Sequence, residues 1–250
     1  MKIVVIGGTG LIGSQVVGIL ERQGHDAVAA SPASGVDATT GEGLAEALKD
    51  AEVVVDVTNP PVFTPDGVLA FFTASGEHLA EAERTAGVGH HVALSIVGID
   101  NPTAHGFYIK GKVAQEKLVR ASGVPYTIVR ATQFFEFLKG IADAATTGDQ
   151  VRVTSKTLQP LAAAEVAAYV AEIATGAPAN GIVEIAGPER IPLADAVRRR
   201  LAALGDPRTV VADDTAAYFG AVIDDDTLVP GDEAYRQATT TLTAWLAAQA

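Results

Sequence analysis

The sequence predicts an α/β fold in which helices flank a doubly wound, mostly parallel sheet. Short apolar runs rich in valine and isoleucine alternate with segments of helical periodicity along the first half of the chain, as parallel strands and their crossover helices do. The first run leads through closely spaced glycines directly into a helical pattern. The chain has 250 residues, and its apolar content of 48% is sufficient for one large core.

The N-terminal strand, turn and helix form the most specific pattern. The apolar run 3–6 is the first predicted strand, and helical periodicity begins at Leu11. The glycines around this junction are Gly7, Gly8, Gly10 and Gly13. Two spacings, one starting at Gly7 and one at Gly8, fit the fingerprint of dinucleotide-binding proteins. We therefore expect a Rossmann-type fold with a pyrophosphate at the N terminus of the first helix. A glycine turn without a ligand is the alternative.

The remaining elements follow in alternation. Further strands are predicted at 26–30, 52–57, 91–97, 126–130, 150–154 and 182–186, with an abbreviated strand at 35–37. Helices are predicted at 14–23, 41–48, 65–86, 107–121, 163–174, 193–204 and 232–248. The pattern loosens beyond Gly148, and no linker is apparent. We therefore expect one domain over 1–250, with a nucleotide-binding core over about 1–145 and a small C-terminal substrate-side cap over about 150–250.

The end of the second strand bears on the choice of cofactor. Proteins that bind NAD usually have an acidic residue there, which bonds the ribose 2′-hydroxyl. This chain has Ser31 and Ser34 instead, and no arginine beside them. Two hydroxyls without a carboxylate favour NADP, with NAD as the alternative, unless the serines only form a turn. Asp37 is expected either to reach the adenine edge or to cap a turn.

Polar residues at the carboxyl ends of later strands are candidates for catalysis. Asn59 follows the strand 52–57, in a loop where doubly wound folds bind ligands. Ser95 lies near the end of the strand 91–97. Tyr108 and Lys112 are four residues apart on the next helix and therefore share one face.

Ser95, Tyr108 and Lys112 suit the reduction of a carbonyl group by a nicotinamide cofactor. We expect the Lys112 ammonium to lower the pKa of Tyr108 by stabilising the phenolate. Tyr108 would then donate a proton to the substrate oxygen, and Ser95 would donate a hydrogen bond to the same oxygen. The alternative is structural: Tyr108 packs on the sheet, Lys112 lies at the surface, and Ser95 is a satisfied strand hydroxyl.

Composition argues against several other classes of protein. A net charge of −12 with only 18 Lys and Arg residues argues against nucleic acid as a partner. Without cysteine there is no disulfide and no thiolate catalysis. No apolar run reaches the length of a membrane span or a signal peptide, so we expect a soluble, cytoplasmic protein. No metal site is expected, because the adjacent histidines 90 and 91 face opposite ways and the acidic run 224–226 is typical of a solvated surface.

These motifs together resemble a known family. Gly-Gly-Thr-Gly-Leu-Ile-Gly at residues 7–13, with Ser95 and Tyr108-x-x-x-Lys112, resembles the short-chain dehydrogenase/reductases. More narrowly it is similar to their atypical, NmrA-like NAD(P)-binding branch, over about residues 1–145. The resemblance implies catalytic roles for Ser95, Tyr108 and Lys112, with Lys112 also on the cofactor. It also implies cofactor contacts at Gly7, Thr9, Gly10, Leu11 and Ile12.

Two departures from the family pattern matter. Many members that bind NADP have arginine where this chain has Ser31. NmrA-like regulators usually lack the catalytic tyrosine, and this chain has Tyr108.

The sequence thus predicts an NADP(H)- or NAD(H)-dependent oxidoreductase for a small carbonyl or alcohol substrate. Apolar residues near the expected mouth of the site favour an apolar substrate: Pro60, Pro61, Phe63, Phe107 and Phe134. The main alternative is a non-catalytic NAD(P) sensor that binds a protein partner. A nucleotide-sugar epimerase or dehydratase is less favoured, because no basic cluster suits a diphosphate. The oligomeric state stays open.

Overall fold

The computed structural model describes residues 1–101, 106–231 and 235–249. Its strands are β1 (Lys2–Ile6), β2 (Asp26–Ala30), β3 (Val53–Asp56), β4 (His90–Ile96), β5 (Tyr126–Ala131), β6 (Thr146–Thr147), β7 (Gln150–Val153), β8 (Thr157–Leu158), β9 (Gly181–Ala186), β10 (Ile191–Pro192), β11 (Thr209–Ala212) and β12 (Arg236–Gln237). Its α-helices are α1 (Gly13–Arg22), α2 (Leu44–Ala47), α3 (Pro65–Ala86), α4 (Phe107–Ala121), α5 (Leu138–Ala144), α6 (Ala163–Thr175), α7 (Leu193–Ala203) and α8 (Leu242–Ala247).

The main sheet has seven strands in the order β12-β9-β5-β4-β3-β1-β2. The pairs of β1 with β2, β1 with β3, and β3 with β4 are all parallel. Every residue of β3 is buried, which explains its unbroken run of valines. The α/β fold with a mostly parallel sheet is therefore confirmed.

The chain forms two compact units. Unit 1 comprises residues 1–95, 107–130 and 164–183. Unit 2 comprises residues 96–106, 131–163 and 184–250, and its described part contains a sheet of β11, β7 and β6 and a pair formed by β10 and β8. The division into a core over about 1–145 and a substrate-side cap over about 150–250 stays a prediction.

Helices α3 and α4 begin and end where the sequence predicts. Thr64 caps α3 by accepting a hydrogen bond from the Gly67 N–H, and Gly87 ends it at φ +73°. The two helices pack closely at Gly111. A Cβ at this position would lie 2.7 Å from a Val68 methyl group and 2.8 Å from the Phe72 ring. This packing places the first two turns of α4, with Tyr108 and Lys112, beside the N-terminal half of α3.

Two predicted elements are wrong. The segment 35–37 adds no strand to the main sheet and makes only an isolated bridge from Asp37 to Glu42. The predicted helix 41–48 shortens to Leu44–Ala47, because Gly41 and Gly43 adopt φ of +79° and +73°.

The predicted final helix 232–248 is also wrong over most of its first half. Arg236–Gln237 is the strand β12, and the helix begins only at Leu242. The physical reason lies in residues 239–241, a run of threonines that disfavours helix and supplies the cap. Thr241 accepts a hydrogen bond from the Ala244 N–H. Positions 232–234 of the predicted helix lie outside the described residues.

Candidate active site

The glycine turn between β1 and α1 depends on its glycines for shape. Gly7 has φ +80°, which disfavours any residue with a Cβ. A Cβ at Gly13 would lie 2.2 Å from the Gly7 carbonyl oxygen, and one at Gly8 would lie 2.6 Å from the Ala29 Cα. At Gly10 the nearest atom would be 3.3 Å away, the Gly7 oxygen. Gly7, Gly8 and Gly13 therefore form the turn, whereas Gly10 leaves space above it.

The outer face of this turn is open. Thr9, Gly10 and Leu11 are exposed, and Ile12 is buried beneath them. The Gly10 N–H closes the turn on the Gly7 carbonyl at 2.9 Å. The Ser14 N–H of α1 already donates to the Gly10 carbonyl at 3.0 Å. The positive end of the helix dipole, beside the exposed residues 9–11, therefore suits a pyrophosphate.

The end of β2 contains one satisfied and one unsatisfied serine. The Ser34 hydroxyl accepts a hydrogen bond from the Ser31 N–H at 2.9 Å and so stabilises the turn. The Ser31 hydroxyl is buried and has no partner among the described residues. A buried hydroxyl without a partner costs about 1–3 kcal/mol, so a ligand group that reached Ser31 would remove this cost.

Asp37 caps a turn. Its carboxylate accepts from the Thr39 hydroxyl at 2.6 Å and from the Thr39 N–H at 2.8 Å. These bonds hold the pKa of Asp37 below its usual value. Of the two roles that the sequence allows for Asp37, the geometry favours the cap. Contacts of Ser31, Ser34 and Asp37 with a cofactor stay predictions.

Tyr108 is held by a polar and an aromatic contact. Its hydroxyl donates to the Asn59 side-chain oxygen at 2.9 Å, just beyond the carboxyl end of β3. Its ring stacks on Phe63, with centroids 5.6 Å apart, and meets the edge of Phe72 at 6.1 Å. Burial raises the pKa of Tyr108 above its ordinary value. The hydroxyl is therefore a neutral donor in this arrangement.

Lys112 is buried and turned to other partners. Its ammonium donates to the Leu94 carbonyl at 2.9 Å and to the Gln115 side-chain oxygen at 2.8 Å. It also lies 4.4 Å from the centre of the Phe72 ring. Burial lowers the pKa of Lys112 to about 8, although Asp56 and Glu116 oppose the shift.

The expectation that Lys112 lowers the pKa of Tyr108 is wrong for this arrangement. The ammonium makes its hydrogen bonds to Leu94 and Gln115 rather than to the phenol. Burial raises the pKa of Tyr108, the opposite of the expected change. A shared helix face predicts that two side chains are neighbours, but not which acceptors a long lysine finds in the core.

Ser95 is the third predicted catalytic residue. It lies next to the last residue of β4 and is 2% exposed, and its hydroxyl has no partner among the described residues. Helix α4 thus places Tyr108 against Asn59, beyond the end of β3, and Lys112 against the Leu94 carbonyl of β4. The Ser95 hydroxyl is left without a partner among the described residues.

Sequence reasoning missed Asp56 and Gln115. Asp56 is the last residue of β3, and Gln115 lies three residues beyond Lys112 on α4. The Gln115 amide donates to Asp56 at 2.7 Å. A carboxylate that ends an apolar strand, and an amide at helical spacing from the lysine, are signals that the sequence did contain.

Unit 2 has its own cavity, of about 290 Å³. Its lining consists of Ile141, Ala144, Ala145, Arg152, Val153, Thr154, Leu193 and residues 216–220. That lining includes none of the predicted catalytic or cofactor residues. Phe134, predicted near the substrate, is buried and stacks on Phe137 at 5.4 Å.

The two adjacent histidines have separate partners. His90 pairs with the Thr127 hydroxyl at 2.9 Å, and His91 pairs with Glu83 at 2.6 Å. Within the described ranges, no three His, Asp or Glu side chains are grouped as metal ligands would be. No helix in the described part of the chain combines the length and apolar character needed to cross a membrane.

Comparison with known families gives a match over more than half of the chain. A family model described as NAD(P)H-binding matches residues 7–176. The matched segment begins at the glycine turn and includes Ser95, Tyr108 and Lys112.

Two curated proteins are similar in sequence. The chain is 29% identical over 221 residues to a (4-alkanoyl-5-oxo-2,5-dihydrofuran-3-yl)methyl phosphate reductase from Streptomyces griseus, covering 82% of this chain and 74% of that protein. It is 29% identical over 219 residues to a chloroplastic divinyl chlorophyllide a 8-vinyl-reductase from Oryza sativa subsp. indica, covering 74% of this chain. The chain spans only 54% of the length of that plant protein.

A solved structure supports the fold. A dTDP-4-dehydrorhamnose reductase from Clostridium acetobutylicum superposes with a TM-score of 0.72, covering 93% of this chain and 90% of that one. The two sequences are 17% identical, so the likeness shows the fold alone.

Proposed function

This chain belongs to the NAD(P)H-binding family. We propose that it is an oxidoreductase that transfers hydride between NADP(H) and a small, largely apolar carbonyl or alcohol compound. Within that family we place it in the atypical short-chain dehydrogenase/reductase branch that includes NmrA-like proteins. The observation that carries the proposal is the neutral Tyr108 hydroxyl held at the carboxyl end of β3, with the buried Lys112 ammonium one helical turn away.

The cofactor's pyrophosphate would bind at the glycine turn. Thr9, Gly10 and Leu11 are exposed there, at the positively polarised N terminus of α1. The Ser31 hydroxyl, buried and unpartnered among the described residues, would donate to a ribose 2′-phosphate. No carboxylate follows β2 directly to repel that phosphate, which favours NADP over NAD.

The bound nicotinamide supplies or accepts the hydride. In reduction, Tyr108 exchanges its bond to Asn59 for one to the substrate oxygen and donates its proton there. Ser95 donates a hydrogen bond to the same oxygen, where negative charge develops. The Lys112 ammonium would bind the nicotinamide ribose of the cofactor. Hydride and proton together convert the carbonyl group into an alcohol.

The rings beside Tyr108 favour a substrate with an apolar face. Phe63 is 47% exposed and stacks on Tyr108, so a flat apolar group could lie along both rings. A second reaction is favoured by the names of the relatives, which denote reductases of a dihydrofuranone and of a vinyl group. Reduction of a carbon–carbon double bond, with Tyr108 again as proton donor, is therefore the second candidate.

The alternative of a different class is a non-catalytic NAD(P) sensor. It is favoured by two contacts: the Tyr108 hydroxyl is bonded to Asn59, and Lys112 is bonded away from the phenol. Such a protein would bind the cofactor at the glycine turn and turn over no substrate.

One experiment separates these functions. The loss of reduced-nicotinamide absorbance is followed with NADPH and with NADH against ketones, aldehydes, enones and vinyl compounds, in wild type and in Tyr108→Phe. We expect turnover with at least one class, preferentially with NADPH, and its loss in Tyr108→Phe. Cofactor binding without turnover across the whole panel would support the sensor instead.

A further inference from the structure

We propose that Gln115 and Asp56 are positioning residues that hold the Lys112 ammonium for the reaction. The inference rests on the proposed function, in which Lys112 binds the ribose of the cofactor. It extends that function to Gln115, which bonds Lys112, and to Asp56, which bonds Gln115.

A continuous line of short hydrogen bonds reaches Lys112. The Thr58 hydroxyl and N–H donate to one oxygen of Asp56 at 2.6 and 3.0 Å. The other Asp56 oxygen accepts from the Gln115 amide nitrogen at 2.7 Å. The Gln115 oxygen then accepts from the Lys112 ammonium at 2.8 Å. Asp56, Gln115 and Lys112 are each at most 3% exposed.

The chemistry of these groups determines the orientation of the Gln115 amide. With its nitrogen toward Asp56 and its oxygen toward Lys112, every contact joins a donor to an acceptor. The reversed amide would place NH₂ against an ammonium and an oxygen against a carboxylate, both repulsive. Asp56 therefore sets the direction in which Gln115 presents its acceptor.

This arrangement leaves one ammonium proton for a ligand. An ammonium has three N–H donors, and Lys112 uses two of them on Leu94 and Gln115. The Phe72 ring, 4.4 Å away, occupies one side of the charge. The remaining N–H is thus directed by its neighbours rather than free to rotate, as a group that must meet a cofactor ribose requires.

Two carboxylates favour the charged form of the Lys112 ammonium although it is buried. Burial lowers the pKa of Lys112 to about 8, and the charges of Asp56 on β3 and Glu116 on α4 act in the opposite direction. Strand β4 and helix α3 contribute the buried His91–Glu83 pair, and the charge of Asp56 also acts on His91. Because the pKa of Lys112 is about 8, loss of one acceptor should change its charge within the assay range.

The first test is a double-mutant cycle in the purified full-length chain. We expect Gln115→Leu to lower kcat by about 10- to 100-fold, the range for losing a hydrogen bond to a charged group. In a Lys112→Met background, Gln115→Leu should cause less than about a two-fold further loss, because it acts through Lys112. Lys110→Met, which removes an exposed charge from the same helix, is the control and should leave kcat unchanged.

The pH profile provides a readout that a purely structural role would not change. Without its acceptor the ammonium form of Lys112 is less stable, so the alkaline limb of kcat should move down by about one pH unit. Asp56→Asn should move it in the same direction, and it serves as the second variant if Gln115→Leu does not fold. A ¹³C NMR titration of the Lys112 side chain, assigned with Lys112→Met, measures the same shift without turnover.

The outcomes separate the two proposals. If Tyr108→Phe retains the wild-type rate, the proposed function fails, whatever Gln115→Leu does. If Tyr108→Phe loses activity but the Gln115 and Lys112 losses are additive, and the alkaline limb does not move, the positioning role is overturned and the function stands.

Discussion

The glycine turn gives the sharpest prediction, because three glycines in one short segment should respond differently to the same methyl group. At Gly13 a Cβ would lie 2.2 Å from the Gly7 carbonyl oxygen, which is backbone and cannot move away cheaply. At Gly10 the closest atom would be at 3.3 Å, and at Gly18 the end of a flexible Arg22 side chain would be at 3.4 Å.

These distances predict how each substitution changes thermal stability and the affinity for NADPH. Overpacking of this kind costs about 1–3 kcal/mol, so Gly13→Ala should lower Tm by roughly 2–12 °C, at about 2–4 °C per kcal/mol for a chain of this size. Gly18→Ala, inside α1, should raise stability by about 0.5–1 kcal/mol. Gly10→Ala should keep a near-wild-type Tm but weaken NADPH by about ten-fold or more, because its methyl group keeps phosphate oxygens from the N–H donors.

Thermal unfolding and calorimetric titration of NADPH measure both effects, with Gly18→Ala as the control on the same helix. A folded Gly10→Ala protein with wild-type NADPH affinity would refute the pyrophosphate site at this turn. A Gly13→Ala protein as stable as wild type would refute the packing argument.

Three other predictions concern the site and its surroundings. Tyr108→Phe should lower kcat by about 10²–10⁴-fold and leave the NADPH dissociation constant unchanged, and unaltered turnover would contradict its role as proton donor. Ser31→Ala should weaken NADPH by about ten-fold, the cost of one hydrogen bond to a charged group, while NADH affinity stays constant in parallel titrations; equal effects on both cofactors would exclude a 2′-phosphate contact. Against the effect of burial, the Glu83 carboxylate raises the pKa of His91 above 6.5. A raised folded-state pKa stabilises the fold below the unfolded value and loses this contribution as pH rises through the folded value. The free energy of unfolding in urea should therefore decline above about pH 6.5, and His91→Gln should flatten the decline; an identical slope in the variant would assign it to other groups.

Local sequence patterns were sufficient to predict those elements whose structure depends only on neighbouring residues. The strand, glycine turn and helix at the N terminus follow from short-range backbone requirements, and α3 begins and ends at its capping threonine and glycine. The placement of Tyr108 and Lys112 on one face of α4 follows from helical period alone. These features need no knowledge of the rest of the chain.

The prediction of the final helix is wrong for a second reason, in addition to the threonines at 239–241. Its predicted start lies in a segment where pairing decides the structure: Arg236 lies opposite Ile185, some fifty positions earlier in the chain. A helical pattern in sequence cannot report that a distant strand edge will take the same residues.

The sequence by itself determined that this chain builds a glycine turn between a strand and a helix and presents a tyrosine and a lysine from one later helix, because spacing and backbone conformation are properties of neighbouring residues. Only the tertiary structure decided what those side chains bond. Gln115 meets Asp56 across 59 positions, and Tyr108 meets Asn59 across 49. Burial then lowers the pKa of Lys112 and raises that of Tyr108, since the cost of charge depends on what packs around a group and not on its place in the chain.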